Sequence, residues 1–142
     1  MGWERADWFA EGSELLPQPL KFGKPAWHDA VGRECFAARN GVALFDQTSF
    51  SKLMLQGPDA EPVLQRLCAN NVAVKEGQVI YTAMLNDRGG MESDFTAFRL
   101  ADDRYMLVTG SNQPVRDKHW IEQNLLDGEF VTLTDITSSL AV

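Results

Sequence analysis

Apolar positions recur along this chain with two periods, and the change from one to the other marks out its elements. Trp27, Ala30, Val31, Cys35 and Ala38 follow the spacing of one helical face, and Asn40-Gly41 supplies the left-handed stop that closes helices, so a helix is predicted over 27–39. The runs VALFD (42–46) and SKLMLQ (51–56) are of strand type. Gly57-Pro58 breaks the chain and Asp59 is a candidate N-cap. Ala60, Val63, Leu64, Leu67 and Cys68 then share one face of a second helix that ends near Asn70-Asn71. Residues Val79 to Leu85 alternate with period two, Asn86-Asp87-Arg88-Gly89-Gly90 has the chemistry of a tight connection, and Glu92 to Leu100 makes the second limb of a hairpin. After Asp102-Asp103 come a short strand YMLVT, a helix from about Pro114 carrying Val115, Trp120, Ile121 and Leu125, and a strand FVTLTD. The run ITSSLAV stays apolar to Val142 and reads as a strand interrupted at the last residue, whose unpaired edge would recruit another chain.

From Ser51 onward the order is strand, helix, strand, strand, short strand, helix, strand. This is close to the β-α-β-β-α-β order of ferredoxin-like modules, and it predicts an α+β fold with helices packed on an antiparallel or mixed sheet. Residues 1–26 are rich in aromatic residues, glycine and proline, which favours an extended lead-in; the domain proper then occupies 27–142. No internal repeat is visible.

Composition narrows the partners. A length of 142 residues with 44% hydrophobic positions fits one globular domain or part of one. The net charge of -7 and the absence of any Lys/Arg run remove the electrostatic basis for a nucleic-acid or anionic-membrane surface. Apolar stretches are strand-sized, and the opening MGWERADWF lacks the basic start and apolar core of a secretory signal. Nothing in these residues directs export. Cys35 and Cys68 have no Cys-x-x-Cys or histidine partner pattern and read as free thiols, so no metal is expected.

Candidate chemistry is sparse. Gly89-Gly90 completes no Gly-x-Gly-x-x-Gly fingerprint, Ser138-Ser139 lacks a nucleophile elbow, and His28 and His119 lie in separate helical segments, where packing or surface roles are the default. Asp94 is the residue that breaks a local rule. Aspartate is poor in strands, and this one alternates in phase with Thr96, Phe98 and Leu100, which are plausible inward positions. It is either an edge charge or turn cap, or a carboxylate placed to manage protons and positive charge beside a ligand. Tyr81 lies on the partner strand, able to offer a ring face and a phenol donor to the same place or simply to fill a core.

Three blocks carry a family resemblance: ALFDQTSFSKLMLQGPDAEPVLQRLCANNV, GQVIYTAMLNDRGGMESDFTAFRL and DDRYMLVTGSNQ. Together they resemble the N-terminal part of the folate-binding domain of the glycine-cleavage T protein (aminomethyltransferase) family over about residues 27–142. The opening GWERADWFA is similar to the segment that joins the flavin and folate halves in the dimethylglycine and sarcosine dehydrogenase branch. The resemblance implies that Asp94, the fourth residue after the Gly89-Gly90 pair, matches the central catalytic carboxylate, and that Tyr81 lines the folate pocket. In the family the short strand continues into Val-Asn-Ala-x-Asn; Thr109 occupies the place of the first asparagine and Asn112 that of the second, which implies cofactor-binding positions for both.

The implied activity is capture by tetrahydrofolate of the one-carbon unit released when FAD, on a preceding domain, oxidises an N-methylated glycine; the product is 5,10-methylenetetrahydrofolate. The same resemblance implies that further parts of the parent enzyme complete the site, so the chain alone is expected to bind folate weakly and not to turn over. Two other readings accompany it: a non-catalytic regulatory homologue like the pyruvate dehydrogenase phosphatase regulatory subunit, and a stand-alone aminomethyltransferase.

Overall fold

The computed structural model describes Ala6 and residues 22–142. The predicted lead-in over 1–26 therefore lies largely outside the described residues. Two compact units result, one within 2–45 and one spanning 46–142. In the first, α1 (His28–Asn40) runs one residue later than its predicted bounds at each end and closes with the Gly41 amide donating to the Ala37 carbonyl. The predicted strand at 42–46 does not form. Val42 and Leu44 are fully exposed, and no strand of the sheet pairs with this run; an apolar stretch without a ladder partner has nothing to hold it extended.

The second unit is built on five strands: β1 (Ser51–Gln56), β2 (Val79–Leu85), β3 (Met91–Ala101), β4 (Arg104–Thr109) and β5 (Thr132–Asp135). Two helices accompany them, α2 (Ala60–Leu67) and α3 (Pro114–Gln123). The class is α+β, as expected. The sheet order is β2-β3-β4-β1-β5 and every neighbouring pair is antiparallel, the first of the two sheet types expected; the short strand β4 stands between β3 and β1, one strand more than a four-stranded ferredoxin-like sheet holds.

The hairpin β2–β3 forms because Asn86 organises its turn. Its backbone closes on Gly90, and its side-chain oxygen accepts from the amides of Arg88 and Gly90 at 3.0 and 2.9 Å. Asp59 precedes α2 as predicted but does not cap it; its carboxylate accepts from the Phe130 amide at 2.7 Å and ties the helix start to the approach of β5. Gly57, at φ +141°, lies where that approach passes, and a Cβ there would sit 2.2 Å from the Phe130 carbonyl oxygen.

Both helices cover one face of the sheet. Leu53, Leu55, Met84, Phe95 and Leu107 meet Val63, Leu64, Leu67 and Ile121 in a single apolar core. At its end Arg99 clamps the layers, donating to Glu61 of α2, to the Val74 carbonyl and to Asp102, with its guanidinium over the buried Tyr105 ring. On β3 the covered residues are Ser93, Phe95 and Ala97, so Asp94, Thr96 and Phe98 lie on the other face. This corrects the inward assignment made for Asp94 and its in-phase neighbours.

The interrupted strand expected over 136–142 is also corrected. Asp135 captures the Thr137 amide with its side chain at 2.9 Å, which turns the chain into a single 3-10 turn over Thr137–Ser139. The last residue then returns its carbonyl to the Gln47 amide.

Candidate functional site on the open sheet face

Residues directly opposite one another on antiparallel strands share a face, so the register fixes what Asp94 stands among. Tyr81 pairs with Thr96, Thr96 with Val108, and Val108 with Lys52. The next row holds Val79, Phe98, Met106 and Met54. Asp94 pairs with Ala83, whose small side chain leaves room for the Tyr81 ring to lean diagonally across. The Tyr81 hydroxyl donates to Asp94 Oδ2 at 2.5 Å. Tyr81 itself is 66% exposed and Asp94 half-buried, so the pair stands at the end of an apolar shelf on the face opposite α2 and α3. The hydrogen bond to Asp94, reinforced by the negative charge of its carboxylate, raises the phenol above the ordinary tyrosine range.

Asn112 lies in the turn that follows β4. The last β3–β4 pair is Phe95 with Thr109, so this turn leaves the sheet at the level of Asp94. The exposed Asn112 folds its side-chain oxygen over Gly110, where a Cβ would come within 3.1 Å of it. Thr109 is not brought to this group. It is buried on the helix-covered face, and its hydroxyl donates to Asp117 Oδ2 at 2.5 Å, which corrects the expectation that it faces the cofactor. Its strand parity decides this, since Thr109 pairs with Phe95 and not with a residue of the open face.

His28 bonds its sequence neighbour Asp29 at 3.1 Å, and His119 is exposed on α3. Cys68 is largely buried, and burial pushes its thiol up to about 12, against a weaker opposing hydrogen bond with Thr82. Among the described residues no group of three His, Cys, Asp or Glu side chains is placed to hold a metal ion, and no helix is long and apolar enough to cross a membrane.

Sequence reasoning overlooked two buried polar features. Lys52 is fully buried with its ammonium donating to the Thr48 carbonyl at 2.8 Å. Asp117 is 1% exposed although it sits on a helix with polar neighbours. The only sequence signal for the second was the four-residue spacing of Gln113 and Asp117 at a helix start, which places both on one face.

Comparison with known proteins gives a consistent result. The profile of the GCVT N-terminal domain family matches residues 1–142. The 4-methylaminobutanoate oxidase (formaldehyde-forming) of Paenarthrobacter nicotinovorans is 36% identical over 140 residues, covering 99% of this chain and 17% of its own length. The mitochondrial sarcosine dehydrogenase of Homo sapiens is 37% identical over 124 residues, covering 70% of this chain and 14% of its own length. Among solved structures, the glycine cleavage system aminomethyltransferase T of Bartonella henselae superposes with a TM-score of 0.60 at 26% identity, covering 66% of this chain and 26% of that one. The chain thus spans less than a fifth of the length of these two curated relatives.

Proposed function

The chain belongs to the GCVT N-terminal domain family, and from that premise we propose that its open sheet face is one wall of a tetrahydrofolate site in an N-methyl amine oxidising enzyme. The observation that carries this reading is the Tyr81 hydroxyl bonded to Asp94 Oδ2 at 2.5 Å on an uncovered face. The residues fit the ligand: a carboxylate acceptor and a phenol ring stand at the end of a shelf of Val79, Phe98, Met106 and Val108. That combination suits a flat ring carrying N–H groups. In that role Tyr81 and the shelf residues bind the ring face, and Asn112 offers an amide at the rim. Asp94 orients an N–H group, accepts a proton from a ligand nitrogen and offsets positive charge beside it. One such general-base contact is worth roughly a hundred- to ten-thousand-fold in rate. Bound tetrahydrofolate supplies the two nitrogens that take up the one-carbon unit, with 5,10-methylenetetrahydrofolate as product.

The residues do not fit a flavin site. Gly89-Gly90 closes a turn between two antiparallel strands, where a dinucleotide fold needs a strand-to-helix turn, so no step here runs through FAD. Dehydrogenation belongs to the parent enzyme of the reading, and so does the choice of N-methylated glycine. The retained Tyr81–Asp94 pair favours this branch over a regulatory homologue.

Amide chemical-shift mapping of the full chain with tetrahydrofolate tests the proposal. We expect shifts clustered on Tyr81, Asp94, Thr96 and Asn112, affinity weaker than micromolar because a single open wall buries little of the ligand, and loss of the shifts in Asp94→Asn. Shifts confined to the helix-covered side, or unchanged binding in Asp94→Asn, would remove the site from this face.

A further inference from the structure

Asp94 sits on a stretch of β3 that has lost one of its neighbours. The last β3–β4 pair is Phe95 with Thr109, so Met91 to Asp94 are flanked by β2 on one side and by no strand on the other. A strand end with half its ladder missing is free to splay unless something replaces the missing bonds. Side chains at the start of α3 do so. Ser93 Oγ donates to Gln113 Oε1 at 2.9 Å, and Arg116 donates to Glu92 Oε2 at 3.0 Å. Thr109, the last β4 residue paired with β3, gives its hydroxyl proton to Asp117 Oδ2 at 2.5 Å and so anchors that final pair, next to Asp94, to α3. Ser93, Thr109 and Asp117 are 5%, 2% and 1% exposed, and Asp117 Oδ1 has no protein partner. A carboxylate buried with a single hydroxyl donor is costly, and an apolar residue would pack the same helix–strand contact more favourably. What the polar set supplies is geometry.

We propose that the first turn of α3 is the positioning element for Asp94: Gln113 through Ser93, and Asp117 through Thr109, fix the projecting end of β3 and hold the Asp94 carboxylate within reach of Tyr81. None of the four touches the open face; each acts through the backbone of β3. The proposal rests on the reading that Asp94 and Tyr81 form the site.

The test uses the full chain without ligand and follows the ionisation of each phenol by NMR on isotope-labelled tyrosine. Tyr81 is exposed and Tyr105 buried, so a water-soluble paramagnetic agent tells their ring signals apart. The Tyr81 midpoint reports its bond to Asp94, which a change in overall stability alone does not move. Asp94→Asn is expected to lower that midpoint and so defines the full effect. Thr109→Val and Gln113→Ala are each expected to produce at least half of that lowering, and Thr109→Ser, which keeps the hydroxyl, to restore the original midpoint. Wild-type midpoints in both folded variants would overturn the positioning role while leaving the Tyr81–Asp94 pair intact. An unmoved midpoint in Asp94→Asn would instead remove the pair itself. Should Thr109→Val not fold, Gln113→Ala decides alone, since its side chain is only half-buried.

Discussion

The two faces of this sheet are made from the same five strands and do opposite work. On the helix-covered face Leu53, Leu55, Met84, Phe95 and Leu107 are buried under α2 and α3. On the other face Val79 is 54% exposed and Tyr81 66%, next to half-buried Phe98, Met106 and Val108. Burial alone separates them, because both faces are rich in apolar side chains. The covered face holds the fold together, and the other is available to the proposed site. The contrast also explains how Asp94 is tolerated: a carboxylate keeps its hydration on the open side, whereas its neighbour Ser93 needs a partner.

Core truncation should expose this division most strongly. Leu64→Ala or Leu107→Ala is expected to cost about 2–5 kcal/mol in urea unfolding, whereas Val79→Ala should stay within about 0.5 kcal/mol. Comparable losses from the two faces would end the distinction. A smaller contrast lies in hydroxyls of the two sides. Thr109→Val strands Asp117 and should cost about 1–3 kcal/mol, while Thr96→Val on the open face should cost nothing measurable in the same titration.

Acidification probes the rim of the covered side. The Leu126 amide and Arg66 hold the Glu129 carboxyl below its ordinary range, and Thr137 does the same for Asp135. A depressed folded value means that the stabilisation is complete above the unfolded carboxylate range near pH ~4 and is lost as pH falls through the lower, folded one. Stability measured from neutral pH downward should therefore decline through that window, and Glu129→Gln should flatten the decline. The gentlest probe is alkylation. With its thiol pushed up to about 12 and largely buried, Cys68 should react slower than exposed Cys35 by on the order of a thousandfold near neutral pH. Equal rates would mean that the covered face opens readily.

Local chemistry made much of this legible from the sequence. The β2–β3 hairpin, α2 and the start of α3 were all readable, because alternation, a glycine-rich turn and a proline at a helix start act over a few residues. The face carrying Asp94 was not. Phe95 and Ala97 compete with Thr96 and Phe98 for the interior on nearly equal terms, and only the position of the helices decides. The runs at 42–46 and 136–142 misled for a similar reason: an apolar stretch becomes a strand only beside a partner, and a single Asp135 side chain was enough to turn the second away. Tyr81 and Asp94 were recoverable as a pair once the hairpin turn was placed, since thirteen residues separate them across it. The buried Asp117 carried no signal of its environment, because it looks like any polar residue in the first turn of a helix.

The rims of the sheet are unequal too. Along the outside of β2, the Ala69 amide donates to the Ala83 carbonyl, Asn70 caps the Tyr81 carbonyl, and Cys68 bridges to Met84. Those bonds occupy acceptors that an incoming strand would need, so ribbon extension is blocked at the border nearest the tyrosine. Among the described residues β5 forms the opposite border, a mere four residues long. Any chain that lengthens this sheet by backbone pairing must therefore join some four strands away from Asp94, and would leave the carboxylate and its shelf accessible.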